Sequence, residues 1–357
     1  MKNLIIADIR SNNNKGICTG HYISIAKMYK KIFADYAQVK VAGGPIYNKY
    51  IEKNDLIQLP YDVYPTGQSI LIGKIKTLFN CWSLFRKVPK GSIIVLQQCS
   101  DVPSHFFTSM FYRGGSKLYM IRYNDDGVSN SLKKIIYSFV KNKIDGIICP
   151  NNRVGNSYLV PYIVVPDYIY SGDPFVKVKK YEDHIYDFCI VGRLNKDKGC
   201  LESIQKLSTT NFKVLVAGQA ESDSYAQQIQ HICSKSNNID LHLGYLSETD
   251  YNNYIKNSRF CLLNYQGEYS SRSSGVVYDT IFMGTPVIGN RCPALQFVED
   301  YKIGKLYESI NTFNFSTILN DIIYSNYIEN IANYRLQHKK YKDYLSEFLT
   351  LNKDDGQ

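Results

Sequence analysis

The chain reads as an α/β protein with two Rossmann-like, doubly wound domains, and three observations carry that reading. Short apolar runs alternate with amphipathic stretches along its length, the signature of β-α-β units and parallel sheets. The alternation breaks once, over residues 167–186, where Pro, Gly and charged residues mix without periodicity and a linker is expected. At 357 residues the chain also exceeds the size at which a single hydrophobic core keeps growing. The expected boundaries are 1–170 for an N-terminal domain, 171–335 for a C-terminal domain, and 336–357 for a terminal helix that crosses back onto the first domain.

The elements follow from apolar runs of strand length and longer amphipathic stretches. The run at 4–7 is too short for a secretory leader and reads as a first strand. Further strands are expected at 39–42, 93–97, 117–122 and 146–149, with helices at 22–33 and 131–143. After the linker the order is strand 187–191, helix 199–207, strand 213–217, helix 222–235, strand 240–243, helix 247–257, strand 260–264, helix 274–283 and strand 286–288. Residues 316–349 read as helices rich in Tyr and Lys. Two such open sheets are expected to face a central cleft, with ligands at the carboxyl ends of their strands.

Composition excludes several classes. Apolar residues make up 44% of the chain, as in a folded globular protein. Nine scattered cysteines, odd in number and without a C-x-x-C pair, argue for reduced thiols and against a zinc site or a disulfide framework. No stretch approaches the ~20 apolar residues that span a bilayer. The net charge of +10 is uneven: residues 1–170 hold 22 Lys+Arg against 10 Asp+Glu, and the remainder 20 against 22. The basic residues form no recognised nucleic-acid module, so no nucleic-acid partner is expected.

Two stretches carry phosphate chemistry. Gly192-Arg193-Leu194-Asn195-Lys196-Asp197-Lys198-Gly199 runs from an apolar strand end into a turn holding three cations. Ser273-Ser274-Gly275-Val276 opens a helix with small residues, and that helix ends at Gly284 before the short strand Pro286-Val287-Ile288. A small-residue helix start presents unpaired N–H groups at the positive end of the helix dipole, which makes an anion site. With Arg193 and Lys198 beside it, a diphosphate is the expected guest.

These stretches resemble the nucleotide-sugar glycosyltransferases of the GT-B fold, and most of all their retaining family four, which includes bacterial capsule and lipopolysaccharide sugar transferases. Gly192, Arg193, Leu194, Lys198 and Gly199 match the family's G-R-L-x-x-x-K-G turn, and Gly284-Thr285-Pro286-Val287-Ile288 is close to its G-x-P-V-I. Leu243-Gly244-Tyr245-Leu246-Ser247 resembles the turn whose backbone reads the nucleotide base. The resemblance implies that Arg193 and Lys198 hold the donor diphosphate and take up leaving-group charge. It places Gly192, Gly244, Tyr245, Ser273, Ser274, Gly275 and Val276 in the donor site. Asp279 falls where the family's second glutamate contacts ribose, and Ser271 replaces the first, with Glu268 three residues upstream as its substitute.

In the first domain, Asn12-Asn13-Asn14-Lys15-Gly16-Ile17-Cys18-Thr19-Gly20-His21 follows the first strand and resembles the glycine-containing loop that meets the donor phosphate; a plain β-α turn is the alternative. Gly16 and Gly20 are its donor contacts, and His21 is a proton carrier, an acceptor contact or a structural residue. Asp125, after the strand at 117–122, is the expected base, and the Asp125-Asp126 pair is not read as a metal site. Residues 70–91 set Lys74, Lys76, Arg86, Lys87 and Lys90 among Leu78, Phe79, Trp82, Leu84 and Phe85, a composition that can lie in a membrane interface. An ordinary domain helix is the alternative.

The resemblance therefore implies a metal-independent hexosyltransferase with no cofactor. It would use a UDP- or GDP-linked sugar and a saccharide or lipid-linked saccharide acceptor, with retention, in bacterial O-antigen or capsule synthesis. Its expected place is the cytoplasmic face of the cell membrane. An epimerase or inverting transferase of the same fold, and a non-catalytic glycan- or nucleotide-binding subunit, are the alternatives; Ser271 motivates the last.

Overall fold

The structure is a computed structural model that describes residues 2–18, 22–65, 67–97, 102–166, 168–271 and 274–351. It divides into two compact units, one formed by Met1–Ser171 with Lys339–Gln357 and the other by Gly172–His338.

The first unit runs β1 (Lys2–Ala7), β2 (Asn13–Asn14), β3 (Ile17–Cys18), α1 (Tyr22–Phe33), β4 (Ala37–Gly43), β5 (Leu56–Gln58), α2 (Ile70–Lys87), β6 (Ile93–Leu96), α3 (Val102–Phe111), β7 (Lys117–Ile121), α4 (Ser131–Lys141), β8 (Gly146–Cys149), α5 (Asn152–Tyr158) and β9 (Tyr162–Val164). Its parallel sheet has the order β5-β4-β1-β6-β7-β8-β9. Successive side chains of each strand feed opposite faces, so Leu4 and Ile6 join the core under α1 while Ile5 and Ala7 join the core under α2, α4 and α5. Asn130 and Asn151 start α4 and α5 by accepting the amides of Lys133 and Val154. Where β1 ends, the buried Asp8 carboxylate accepts the amides of Arg10 and Ser11 and the Tyr47 hydroxyl, and burial raises its pKa.

The second unit runs β10 (Tyr186–Val191), α6 (Cys200–Ser208), β11 (Val214–Gly218), α7 (Asp223–Cys233), β12 (Ile239–Leu243), α8 (Glu248–Lys256), β13 (Ser258–Leu263), α9 (Gly275–Met283), β14 (Val287–Asn290), α10 (Gln296–Asp300), β15 (Gly304–Tyr307) and the larger part of α11 (Asp321–Phe348), whose residues from Lys339 on belong to the first unit. The sheet order is β12-β11-β10-β13-β14-β15, all parallel. Counted within the unit, that is 3-2-1-4-5-6, so the chain reverses direction across the sheet between β10 and β13. Ligands of doubly wound sheets bind at this switch point, outside the carboxyl ends of the strands.

The residues expected as several helices over 316–349 form one 3-10 turn (Phe315–Ile318) and the single 28-residue α11. No Gly or Pro interrupts that stretch, so nothing breaks it. Most of the 70–91 segment is α2. The short strands β5, β9 and β15 were not anticipated.

Three neighbouring strands, β10, β11 and β12, each end at a glycine of positive φ: Gly192 at 95°, Gly218 at 146° and Gly244 at 133°. The Gly244 amide donates to the Gly218 carbonyl at 2.9 Å, and the Gly192 amide to that of Ala217 at 3.0 Å. A Cβ on Gly218 would lie 1.7 Å from the Gly192 carbonyl oxygen. Only glycine permits both the φ and the approach. Gly218→Ala should therefore destabilise the protein by about 2 kcal/mol or more and lower its Tm by roughly 4 °C or more, read by calorimetry. A wild-type melt would show that these loops do not press together.

Candidate functional site

The loop after β10 is anchored before it is functional. Leu194 is fully buried, its amide donating to Gln219 and its carbonyl accepting from Glu221, each at 2.9 Å. Asn195 accepts the Lys198 amide at 3.0 Å and so caps the 3-10 turn Lys196–Lys198. Gly199, at φ 54°, lies where a Cβ would come within 2.4 Å of the Asn264 carbonyl and side-chain amide. The turn is thus pressed against the end of β13, across the switch point.

With Leu194 pointing in, its neighbour Arg193 points out and is exposed, whereas Lys198 folds back and is half-buried. Its Nζ lies 3.9 Å from the position a Gly192 Cβ would take and 5.3 Å from the centre of the Tyr269 ring. Among the described residues neither Arg193 nor Lys198 forms an ion pair. Burial holds the Lys198 pKa below its ordinary value, and the charge of Arg193 adds to that. An amine desolvated without a carboxylate gains from an incoming anion.

The other wall is the start of α9. Ser274 is its N-cap residue, but the Ser274 hydroxyl accepts from the Tyr265 hydroxyl at 2.6 Å and makes no side-chain cap, and the first turn holds no acid. Among the described residues, no capping side chain and no acid of the first turn neutralises the amide end of α9. Val276 Cγ2 would be 3.2 Å from a Cβ on Gly192, so the helix start and the cation turn meet at that glycine. At the far end, Gly284 closes the helix at φ 91°, and the buried Arg335 donates to the Phe282 carbonyl at 2.9 Å. A guanidinium there satisfies the negative end of the dipole.

Asp279 sits one turn beyond Val276. Burial raises its carboxyl pKa to about 6, with Glu248 adding to the rise and the Tyr251 hydroxyl, which donates at 3.1 Å, opposing it. One cation and one carboxylate are thus held with their charged forms disfavoured and without each other as partners, an arrangement concentrated at functional sites.

Of the residues expected in the donor site, Gly192, Lys198 and Val276 meet here, Arg193, Ser274 and Gly275 adjoin them in the chain, Asp279 lies one turn further along α9, and Gly244 joins through Gly218. Tyr245 is exposed beside it, at 70% of its surface. Glu268 and Ser271 belong to the 3-10 turn Gly267–Ser271 that also carries Tyr269; the Glu268 side chain lies outside the described residues, as do Ser273, Gly20 and His21. The Asp197 carbonyl accepts the Gln266 amide at 2.6 Å.

Gly16 and Asp125 belong to the first unit. Lys15 and Gly16, with φ 50° and 84°, form the tight turn of the β2–β3 hairpin, and the Gly16 carbonyl accepts from Lys49. The loop after β1 is thus a hairpin rather than a plain β-α turn. Asp125 is partly exposed and pairs with Arg153 at 3.3 Å. Tyr269, Tyr251 and Asn264 were not singled out in the sequence. The Asn195 cap had a local signal, an Asn three residues before Lys198.

No protein-family model and no curated protein sequence matches the chain. Solved structures do match it in shape. The trehalose-6-phosphate protein from E. coli bound with UDP-2-fluoro glucose is 9% identical with a TM-score of 0.64, over 98% of this chain and 100% of that one. AviGT4, a glycosyltransferase involved in avilamycin A biosynthesis, is 12% identical with a TM-score of 0.60, over 97% of each chain. The lipopolysaccharide outer core galactosyltransferase WaaB is 12% identical with a TM-score of 0.56, over 96% of this chain and 100% of that one. At these identities the likeness is one of fold, and the fold is GT-B, with two Rossmann-like α/β domains.

Proposed function

We propose that this chain is a glycosyltransferase that moves a hexose from a UDP- or GDP-linked donor to a saccharide acceptor, lipid-linked, in bacterial O-antigen or capsule assembly. The observation that carries the reading is the half-buried Lys198 amine, unpaired among the described residues, against the uncapped start of α9 at the switch point of the second unit. The WaaB and AviGT4 likenesses, and the UDP-2-fluoro glucose held by the E. coli relative, support it.

In this reading the donor diphosphate lies on Lys198, Arg193 and the amides of Gly275 and Val276, the ribose on Asp279, and the base near Gly244 and Tyr245. When the sugar–oxygen bond breaks, its electron pair stays on the β-phosphate. Fixed cations and N–H dipoles stabilise that charge without a metal ion. The acceptor hydroxyl attacks on the face the phosphate leaves, its proton passing to the departing phosphate oxygen, so configuration is retained. The basic first unit brings the protein to the cytoplasmic face of the membrane, where a lipid-linked acceptor resides.

A panel of UDP- and GDP-sugars, scored for melting-temperature shift and for product, tests this. Lys198→Met should lower kcat/KM by ~10²–10³ with the fold intact, and Arg193→Ala should lower it less, because Arg193 is more exposed to water. Nucleotide-sugar binding with no product from any donor would favour the non-catalytic reading instead.

The pKa of Asp279 gives a second test. An ionised carboxylate accepts two ribose hydroxyls, so donor KM should rise as pH falls through about 6. Asp279→Asn should remove that pH dependence and weaken donor binding by about tenfold or more. The stability sign is opposite: a raised carboxyl pKa contributes stability at low pH that is lost as pH rises through about 6. The Asn variant should therefore lose less Tm than wild type between pH 4 and 8. A donor KM that stays flat across pH 6 in wild type would remove Asp279 from the site.

A further inference from the structure

One face of the first unit carries an apolar surface that no described residue covers. Helices α2, α3 and α4 lie side by side on one face of the sheet, α3 packed between the other two. On α2 the inward positions are Thr77, Asn80, Cys81 and Leu84. The opposite stripe, spaced by threes and fours, is Ile72, Ile75, Phe79 and Trp82, each 42–49% exposed. On α3, Phe106 and Met110 are one turn apart and 46% and 50% exposed. On α4 the buried Tyr137 and Val140 stand opposite Leu132, Ile135 and Phe139, which are 57–67% exposed. Three adjacent helices thus turn their large apolar side chains the same way, away from the sheet. Scattered exposed apolar residues need no explanation, but an aligned patch of this kind marks an interaction surface.

Its charge identifies the occupant. The three helices contain no Asp or Glu, while α2 carries Lys74, Lys76, Arg86 and Lys87 and α4 carries Lys133, Lys134 and Lys141. At one edge, Arg86, Lys90 and Arg113 line a groove of about 540 Å³ with Trp82, Phe85 and Phe111, and the Arg86 guanidinium lies 4.8 Å over the Trp82 ring. A second copy of this chain would set two basic faces against each other with no carboxylate on these helices between them. No described helix is long and apolar enough to cross a membrane, so a bilayer would meet this face at its surface.

We propose that the α2–α3–α4 face docks flat on an anionic lipid bilayer, its apolar side chains entering the interface and its lysines and arginines meeting lipid phosphates. Trp and Phe suit the headgroup boundary, and cations there add attraction that anionic lipid supplies and zwitterionic lipid does not. This deepens the membrane part of the function proposed above and rests on that part alone. It requires no donor, so vesicle binding and sugar transfer can fail separately.

The test is co-sedimentation of the full chain with vesicles of mixed phosphatidylglycerol and phosphatidylcholine, against phosphatidylcholine alone, at physiological salt. Wild type should bind the anionic vesicles at least about tenfold better. The double variants Phe79→Ser with Phe139→Ser, and Lys133→Glu with Lys134→Glu, should each lose at least about tenfold in binding while melting like wild type, since all four residues lie at or near the surface. The lysine pair keeps the test decisive should the serine pair alter packing. Equal binding to both vesicle types, or variants that bind as wild type does, would overturn the proposal. So would light scattering that shows a wild-type dimer which the serine pair converts to monomer.

Discussion

The site depends on the close approach of three loops at the carboxyl edge of one sheet, enforced by residues without side chains. Gly218 and Gly199 are where backbone meets the Gly192 backbone or the Asn264 carbonyl and side-chain amide, at separations that no Cβ could share. Those contacts hold the loop after β10 against the ends of β11 and β13, and Lys198 is folded back rather than exposed. It is turned toward Gly192, and the start of α9 arrives on the other side of the same glycine through Val276. The doubly wound order of the strands brings these pieces together, since β10 and β13 are neighbours in the sheet although 66 residues separate their ends, from Val191 to Ser258 and on to α9.

That geometry has an electrostatic cost, which is also what makes the site useful. Lys198 is drawn toward its neutral form by burial and Asp279 toward its protonated form, and among the described residues neither is relieved by a partner of opposite charge. The amide end of α9 is left without a side-chain cap while Arg335 satisfies its carbonyl end. At neutral pH a folded protein gains nothing in stability from such an arrangement. A diphosphate with a ribose gains a great deal, because the groups that would hold it are already oriented and partly stripped of water.

Much of this was legible in the sequence because the informative patterns are local. An apolar run followed by a glycine and a cation-bearing turn announces the loop after β10, and small residues before an apolar stretch announce the start of α9. The partners were not legible, for a physical reason. Tyr269, Tyr251 and Asn264 act only through contacts set by the fold, and a tyrosine among 31 carries no signal of its own. The edge strands β5 and β9, three residues each, are too short to show a period. In the first unit, the hairpin turn at Lys15 and Gly16 was hidden by the resemblance of its glycines to a phosphate loop. The apolar stripe of α2 was visible as composition, but its continuation over α3 and α4 needed three helices to be placed side by side.

The most direct measurement is a crystal structure of the protein soaked with a nucleoside diphosphate. The account predicts the β-phosphate within hydrogen-bonding distance of the Lys198 amine and of the first amides of α9, with ribose at Asp279. A diphosphate bound elsewhere in the second unit, with Lys198 left folded against Tyr269, would contradict it.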